Sequence, residues 1–186
     1  MKKKRISTIS LAGCFGCHMS LLDIDERILE LVKLVEFDRS PVNDLKRFKA
    51  RCDIGFIEGG CCNEENVHTL RKFRRNCDVL VAVGQCAVMG GLPVMRNAIM
   101  HSKDPLRECL ETAYLNSPYV YNPTNDIPND PALPLILDKV YTCAEVVKMD
   151  YQIPGCPPSG DILWQAINAL LNGKPSDLPS EVIKFD

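Results

Sequence analysis

Residues 6–17, ISTISLAGCFGC, run from an apolar, β-branched segment directly into a loop with two glycines and two cysteines. The segment 6–11 predicts a buried β-strand. The same pattern returns at residues 53–57 (DIGFI) and 79–83 (VLVAV), each followed by a glycine-containing turn and a helical pattern. Buried strands that alternate with helices predict an α/β fold, in which helices cover both faces of a parallel sheet.

Capping residues and helix-breaking residues delimit the predicted helices. The best-defined start is Ser20, because Asp23 three residues later completes a capping box. The predicted helices, in chain order, are residues 21–35 after Ser20, residues 64–76 after Asn63, parts of residues 94–117, and a last helix from Ser159 to Leu171 that Gly173 and Pro175 end.

A proline-rich stretch interrupts this alternation. Five prolines fall within residues 118–134, which predicts an ordered surface excursion in place of a helix. Regular structure resumes at residues 135–151 with a short helix, followed by a strand at residues 146–153. Because the chain has no internal repeat, low-complexity tract or linker, residues 1–186 predict a single domain.

Composition narrows the functional class. The chain has 186 residues and a net charge of −2, which argues against a dedicated nucleic-acid-binding protein, and no apolar run approaches the roughly 18 residues of a membrane span. The basic start and the LAGC sequence at residues 11–14 are similar to a lipoprotein signal, but the segment between them is too short and polar for export. We therefore expect a cytoplasmic protein, in which ten cysteines do not form five disulfides.

Four of the ten cysteines lie where the predicted strands end. Cys14 and Cys17 form a C-x-x-C loop after the first strand, Cys86 follows the third strand, and Cys156 precedes the last helix. In a parallel sheet these loops open at the same edge, so four thiolates can converge there. The C-x-x-C spacing alone is also typical of a thioredoxin-like redox pair or of half a zinc site. Four converging thiolates, with proline after the last cysteine, favour an iron–sulfur site.

These motifs together resemble a known family. CxGC after the first strand, EG after the second, GxCA after the third and GCPP before the last helix resemble the small subunit of NiFe hydrogenases, over residues 5–172. The string LAGCFGCHMSLLD at residues 11–23 is similar to the soluble, bidirectional, NAD-reducing group of these enzymes. The related complex I subunit is less similar, because it has two adjacent cysteines after its first strand.

The resemblance implies a flavodoxin-like domain that binds one 4Fe–4S cluster, the proximal cluster, beside the NiFe centre of a separate large subunit. Carried over residue by residue, the implied ligands are Cys14, Cys17, Cys86 and Cys156. Larger family members continue with a domain that binds two more clusters, whereas no cysteine or histidine follows Cys156 here. Electrons are therefore expected to pass to a partner, which in the NAD-reducing group is a diaphorase module with iron–sulfur clusters and FMN.

Two further residues near the cysteines have open roles. Glu58 matches a family glutamate near the interface between the cluster and the active site, where it could accept hydrogen bonds or help to move protons. The alternative is a strand-end carboxylate that caps the next helix. For His18 we expect a surface position, with a hydrogen bond to a cluster sulfide as the alternative.

The other six cysteines do not show the spacing of a second cluster. Cys77 and Cys109 lie on helical patterns and, like Cys52, are expected to be small buried apolar residues. Cys61 and Cys62 lie in the loop beside the proposed site, which leaves open a redox role or a supporting contact with the cluster ligands. Cys143 completes the set. Three aromatic residues are expected to pack and not to stack on a flavin: Tyr119, Tyr121 and Trp164.

Two other functions compete with the hydrogenase subunit. A flavodoxin-like protein that binds FMN is compatible with the fold, but the loop that would bind the flavin phosphate contains Cys14 and Cys17 and lacks a run of Ser or Thr donors. A structural zinc module would need a second C-x-x-C or a paired histidine motif, and the sequence has neither.

Overall fold

The computed structural model describes residues 3–99 and 103–173. The strands are β1 (Lys4–Ser10), β2 (Val35–Phe37), β3 (Cys52–Glu58), β4 (Cys61–Asn63), β5 (Cys77–Val83), β6 (Ile136–Tyr141) and β7 (Tyr151–Ile153). The α-helices are α1 (Gly16–Leu22), α2 (Ile28–Leu34), α3 (Glu64–Asn76), α4 (Gln85–Met89), α5 (Pro105–Leu110), α6 (Cys143–Val146) and α7 (Gly160–Leu171). Short 3-10 turns cover Asp25–Arg27 and Pro93–Ile99, and a π-helical turn at Glu111–Leu115 continues α5.

Five strands form one parallel sheet in the order β2-β1-β3-β5-β7. This is the strand order of flavodoxin-like folds, in which the second strand lies outside the first and the remaining strands follow on the other side. A separate two-stranded ladder joins β4 and β6 in antiparallel fashion. The α/β class and the parallel sheet predicted from the sequence are confirmed.

The sheet carries a hydrophobic core on each face. Along β5, Val81 packs with α1, α2 and α7, whereas its neighbour Leu80 packs with α3, because successive strand residues point to opposite faces. Leu70 and Phe73 of α3 are fully buried on the second face. Burial of large apolar side chains on both faces explains why the central strand β5 is a nearly continuous apolar run in the sequence.

The predicted helix over residues 21–35 is wrong in its start and in its continuity. The chain becomes helical already at Gly16, and the Ser20 hydroxyl donates to the carbonyl of Pro158 and caps nothing. The helix then breaks because Asp25 has a left-handed backbone with φ of 57°, which a right-handed helix cannot contain.

The predicted strand over residues 146–153 is too long, and no pattern in the sequence indicated β2, β4 or β6. A capping box between Thr142 and Glu145 starts α6, which ends at Val146, so that only β7 at Tyr151–Ile153 joins the sheet. The two other helix starts are confirmed. The Asn63 side chain accepts from the Asn66 amide at 2.9 Å, and Ser159 caps α7.

Helix α7 ends before a glycine, as predicted. Gly173 takes a left-handed φ of 67° after α7, and Pro175 lies outside the described residues.

The proline-rich segment, residues 118–134, forms turns without helix or strand. The expectation that both tyrosines pack is wrong, since Tyr119 and Tyr121 are 94% and 91% exposed. Trp164 does pack against the core, beneath the Arg27 guanidinium.

A half-buried ion pair links α3 to the segment before β7. The Asp150 carboxylate accepts from the Arg74 guanidinium and, at 2.8 Å, from the Leu80 amide of β5. Burial opposes ionisation of Asp150, but the hydrogen bonds from Arg74 and Leu80 outweigh it and lower the pKa of Asp150. A carboxylate with a lowered pKa stabilises the fold above its unfolded pKa of about 3.9, and this contribution is lost as the pH falls through the folded value.

We therefore expect Asp150→Asn to lower the free energy of unfolding by about 1–2 kcal/mol at pH 7, and by much less near pH 3. The measurement is urea unfolding of the full chain at both pH values. Asp78→Asn is the matched control, because Asp78 forms an exposed ion pair with Arg51, which is worth at most about 1 kcal/mol. Equal destabilisation by Asp150→Asn at both pH values would contradict the assignment.

No helix within the described residues combines the length and the apolar character that a membrane crossing requires.

Candidate metal centre

The four cysteines singled out in the sequence lie on three loops at one edge of the sheet. Cys14 lies in the loop between β1 and α1, and Cys17 is in the first turn of α1. Cys86 is in the first turn of α4, directly after β5, and Cys156 lies between β7 and α7. All three loops leave the carboxyl ends of parallel strands, which is where sites form in such sheets.

Backbone hydrogen bonds join two of these loops. The Gly84 amide donates to the Ile153 carbonyl at 2.8 Å, and the Gln85 amide donates to the Gly155 carbonyl at 2.8 Å. The segments that carry Cys86 and Cys156 are therefore fixed relative to each other by the sheet itself, as a continuation of the β5–β7 pairing.

The four thiols are close enough to influence one another electrostatically. Burial is the largest cause of the raised pKa of Cys17, and the negative charges of Glu58, Cys86, Cys14 and Cys156 raise it further. Burial and neighbouring charge also raise the pKa of Cys86. Four thiolates can therefore coexist here only with a compensating positive charge, which bound metal supplies.

Glycines bring the backbone against the sulfur atoms. A Cβ atom at Gly84 would overlap Cys17 Sγ, and one at Gly91 would lie 2.7 Å from Cys86 Sγ. Both glycines have a positive φ. At Gly16, the amide lies 3.4 Å from Cys14 Sγ. The loops thus leave room for sulfur atoms and place a peptide N–H near one of them, as binding of an anionic metal–thiolate group requires.

The same described residues, 3–99 and 103–173, include no group of three or more Cys, His, Asp or Glu side chains arranged to hold a single metal ion. The charges of the four thiols influence one another, but the four sulfur atoms do not surround a single point as the ligands of one metal ion would.

Gly84→Ala tests this close approach. The new methyl group would overlap Cys17 Sγ and strain a backbone with φ of 81°. Because the sequence predicts Cys17 as a cluster ligand, we expect at least about a tenfold loss of iron from the purified protein. Gly173→Ala is the control: Gly173 also has a positive φ, but a Cβ there would meet nothing within 4 Å. Iron content equal in the two variants would contradict the proposed contact with the cysteine.

Glu58 reaches from the end of β3 to the helix that carries Cys17. Its carboxylate accepts from the amides of Cys17 at 3.1 Å and His18 at 3.2 Å, and it is also hydrogen-bonded to His18 Nδ1. Glu58 is buried, so these bonds replace its hydration. A capping role is therefore correct, but the capped helix is α1, which precedes Glu58 in the sequence, and not the next helix.

The expectation that His18 lies on the surface is wrong. His18 is buried with its ring stacked on Phe15 at a centroid distance of 4.6 Å, and both ring nitrogens are hydrogen-bonded. Its partners are Thr8 on β1 and Glu58 at the end of β3, which only the folded sheet brings to the ring, so the local pattern could not reveal its burial.

The chain matches a known protein family over most of its length. Residues 14–170 match the family described as NADH ubiquinone oxidoreductase, 20 Kd subunit. The chain belongs to this family.

Within the 20 kDa subunit family, the similarity is marked for one kind of hydrogenase. The chain is 50% identical to the NAD-reducing hydrogenase HoxS subunit delta of Cupriavidus necator. The alignment of 185 residues covers 99% of this chain and 86% of that protein. A crystal structure of NAD⁺-reducing [NiFe]-hydrogenase in the H2-reduced state contains a chain that superposes with a TM-score of 0.91 at 46% identity, with full coverage of both chains. The predicted resemblance to the small subunit of NAD-reducing NiFe hydrogenases is confirmed.

A more distant relative is longer. It belongs to the F420-non-reducing hydrogenase of Methanothermobacter thermautotrophicus and is 37% identical over 180 residues, which cover 96% of this chain. The match spans 56% of the length of that protein.

The six other cysteines of this family member are free thiols, and three of the predictions about them need correction or detail. Cys77 is buried, as expected, but it begins strand β5 and does not lie on a helix. Cys109 is only half-buried on α5. Cys52 is buried, and its sulfur lies 3.0 Å from the Ser7 hydroxyl.

Cys61 and Cys143 are buried beside the site. Burial is the main cause that raises the pKa of Cys61 to about 12 and also raises that of Cys143. The Cys143 thiol donates to the Gly59 carbonyl at 3.3 Å. Because thiolates are the reactive form, raised pKa values favour a packing role over a redox role for both residues. Cys62 is half-buried.

Proposed function

We propose that this chain is the electron-transferring small subunit of an NAD-reducing NiFe hydrogenase, and that Cys14, Cys17, Cys86 and Cys156 bind one 4Fe–4S cluster. The observation that carries the proposal is the convergence of these four cysteines on one sheet edge, close enough that the charges of the other three act on Cys17. It occurs in a chain that is 50% identical to a HoxS delta subunit.

The donor set fits an iron–sulfur cluster better than the competing ligands. Four thiolates without a histidine partner are typical of 4Fe–4S binding. A structural zinc site commonly takes its ligands from two short paired motifs, whereas only Cys14 and Cys17 form such a pair here and Cys86 and Cys156 come from separate loops. The FMN alternative is not favoured, because Cys14 and Cys17 occupy the loop after β1 in which a flavin phosphate would bind.

The residues of this chain hold and shield the site. When bound, a 4Fe–4S cluster would supply one-electron transfer. Cys17 packs against the core beneath the site, and Glu58 fixes the first turn of α1 by accepting two amide hydrogens. Cys14 and Cys156 are exposed and face the outside of the subunit. One side of the site is thus rigid and buried, and the other is open to a partner.

We propose two partners that meet this chain in the cytoplasm. One is a hydrogenase large subunit with the NiFe centre, and the other is a diaphorase module with iron–sulfur clusters and FMN. Apolar side chains next to Cys86 support a partner on that side, since Met89, Leu92 and Met95 are exposed. The ten free cysteines agree with a reducing compartment.

The experiment is anaerobic purification of the tagged full chain with the proteins that accompany it. We expect nickel in a stoichiometric amount, a flavin, and reduction of NAD⁺ when hydrogen is supplied. A mock purification without the tag controls for other hydrogenases of the cell. A chain that purifies with iron but with neither nickel nor hydrogen-dependent activity would contradict the hydrogenase assignment and leave the cluster intact.

A further inference from the structure

A buried chain of hydrogen bonds runs from Glu58 away from the cysteines and through the sheet. His18 Nε2 lies 3.0 Å from the Thr8 hydroxyl, which lies 2.7 Å from the Ser40 hydroxyl. The Ser40 oxygen in turn accepts from the Val42 amide at 3.1 Å. The side chains of Glu58, His18, Thr8 and Ser40 are all buried, with residue exposures of 5% or less.

One assignment of donors and acceptors satisfies every group in this series of hydrogen bonds. The carboxylate of Glu58 only accepts, so His18 Nδ1 carries a hydrogen. In the neutral ring Nε2 then accepts from the Thr8 hydroxyl, and the Thr8 oxygen accepts from the Ser40 hydroxyl. The Val42 amide is the last donor in this series of hydrogen bonds, and it donates to the Ser40 oxygen. Glu58 thereby selects the ring tautomer, and Thr8 and Ser40 satisfy the second ring nitrogen in that tautomer.

Both nitrogens of the buried His18 ring have partners that fix its orientation. Phe15 covers one face of the ring, Glu58 holds Nδ1 and the Thr8 hydroxyl holds Nε2. Without the Thr8 hydroxyl, Nε2 would be a buried polar atom with no hydrogen-bond partner from Thr8, which favours a change in the ring's position. The hydroxyl of Thr8 therefore helps to keep His18 aligned with the carboxylate.

We propose that Thr8 and Ser40 are positioning residues for the cysteine loop. They orient His18, His18 orients Glu58, and Glu58 fixes the amide of Cys17. The inference rests on the proposed function, because it assigns these residues a role in setting the environment of the cluster that Cys17 would help to bind.

The chain of hydrogen bonds has a consequence for the reduction potential. The negative charge of Glu58 acts on Cys17, and the hydrogen bond from His18 Nδ1 partly compensates this charge. If His18 loses its alignment, the carboxylate presents a stronger negative field to the site. An added electron is then less favourable, so the midpoint potential falls.

Thr8→Val tests this inference in the anaerobically purified complex. Valine has the shape of threonine without the hydroxyl. We expect a lower midpoint potential in an electron paramagnetic resonance titration, while iron and sulfide per chain stay the same. Thr8→Ser restores the hydroxyl and is expected to restore the wild-type potential. Ser7→Ala is the matched control, because Ser7 is a buried β1 hydroxyl that contacts Cys52 and lies outside the chain of hydrogen bonds.

The remaining outcomes are also decisive. A Thr8→Val potential equal to that of the wild type would overturn the positioning role and leave the cysteine assignment unaffected. If Thr8→Val does not assemble, Ser40→Ala decides: a lower potential supports the positioning role, and an unchanged potential overturns it. Absence of iron and sulfide from the wild-type chain would overturn the proposed function itself.

Discussion

Cys17→Ser is expected to reduce hydrogen-dependent NAD⁺ reduction by the purified complex by more than about 100-fold, since changes to residues that merely support metal ligands already cost about 10–100-fold. Cys17 is held in the first turn of α1 and packs against the core. Serine keeps the shape, but its hydroxyl ionises far less readily than a thiol and is a poor ligand for iron–sulfur clusters. The measurement is the initial rate of NADH formation under hydrogen, with iron analysis of the same sample.

Two control variants separate this effect from general damage. Cys109→Ser changes a half-buried thiol on α5, and Cys62→Ser changes a half-buried thiol in the short strand β4. Both are expected to keep the iron content and at least about half of the rate, because neither thiol is one of the four proposed ligands. NADH-dependent dye reduction by the complex should survive in all three variants. Full activity of Cys17→Ser would remove Cys17 from the ligand set.

Glu58→Ala is expected to lower the free energy of unfolding by about 3 kcal/mol or more. The substitution leaves the amides of Cys17 and His18 and the His18 ring without their acceptor in a buried place. Urea unfolding of the full chain measures the effect, with the fluorescence of Trp164, the one tryptophan of the sequence, as the probe. Iron content of the complex should fall as well, because the first turn of α1 is no longer fixed.

Glu58→Gln and Glu36→Ala distinguish the role of Glu58. Glutamine keeps one acceptor oxygen but turns an N–H₂ group toward a donor, so a loss of about 1–2 kcal/mol with iron retained and slower turnover is expected. Glu36 forms an exposed ion pair with Arg5, and its removal should cost less than about 1 kcal/mol. If Glu58→Ala is as stable as Glu36→Ala, the capping role is wrong.

The sheet could be predicted where strands are long. β1, β3 and β5 each have seven residues; β3 and β5 contain apolar runs, and β1 gives its signal through β-branched residues. β2, β4 and β7 have only three residues each, too few for a period to show. β6 begins with alternating exposed and half-buried residues, and this weak alternation directly after the proline-rich segment did not indicate a strand.

The start of a helix could be predicted where the capping residue directly precedes the helix, and not where it comes from a distant part of the sequence. Asn63 caps α3 from the adjacent position. α1 has no side-chain cap from its own N-cap residue, Phe15, and its first-turn amides bind Glu58, about 40 residues away. Sequence signals around Ser20 therefore predicted the wrong start.

The positions of the four cysteines follow from the order of strands and loops, which is why the sequence could place them at one edge. Their identity as ligands stays a prediction. Thr8 and Ser40 were missed because β-branched and hydroxyl residues in or near a strand carry no signal of a buried hydrogen bond. Their connection to His18 depends on the pairing of β1 with β3 and on the loop after β2.

The amounts of iron and acid-labile sulfide per chain, measured in the anaerobically purified complex, decide whether this chain binds a 4Fe–4S cluster. The difference between the wild-type and the Cys17→Ser complex removes the contribution of partner clusters. About four irons and four sulfides per chain are expected for one cluster bound by Cys14, Cys17, Cys86 and Cys156. Zinc without sulfide, or a flavin on this chain without iron, would contradict the cluster and the electron-transfer role proposed for it.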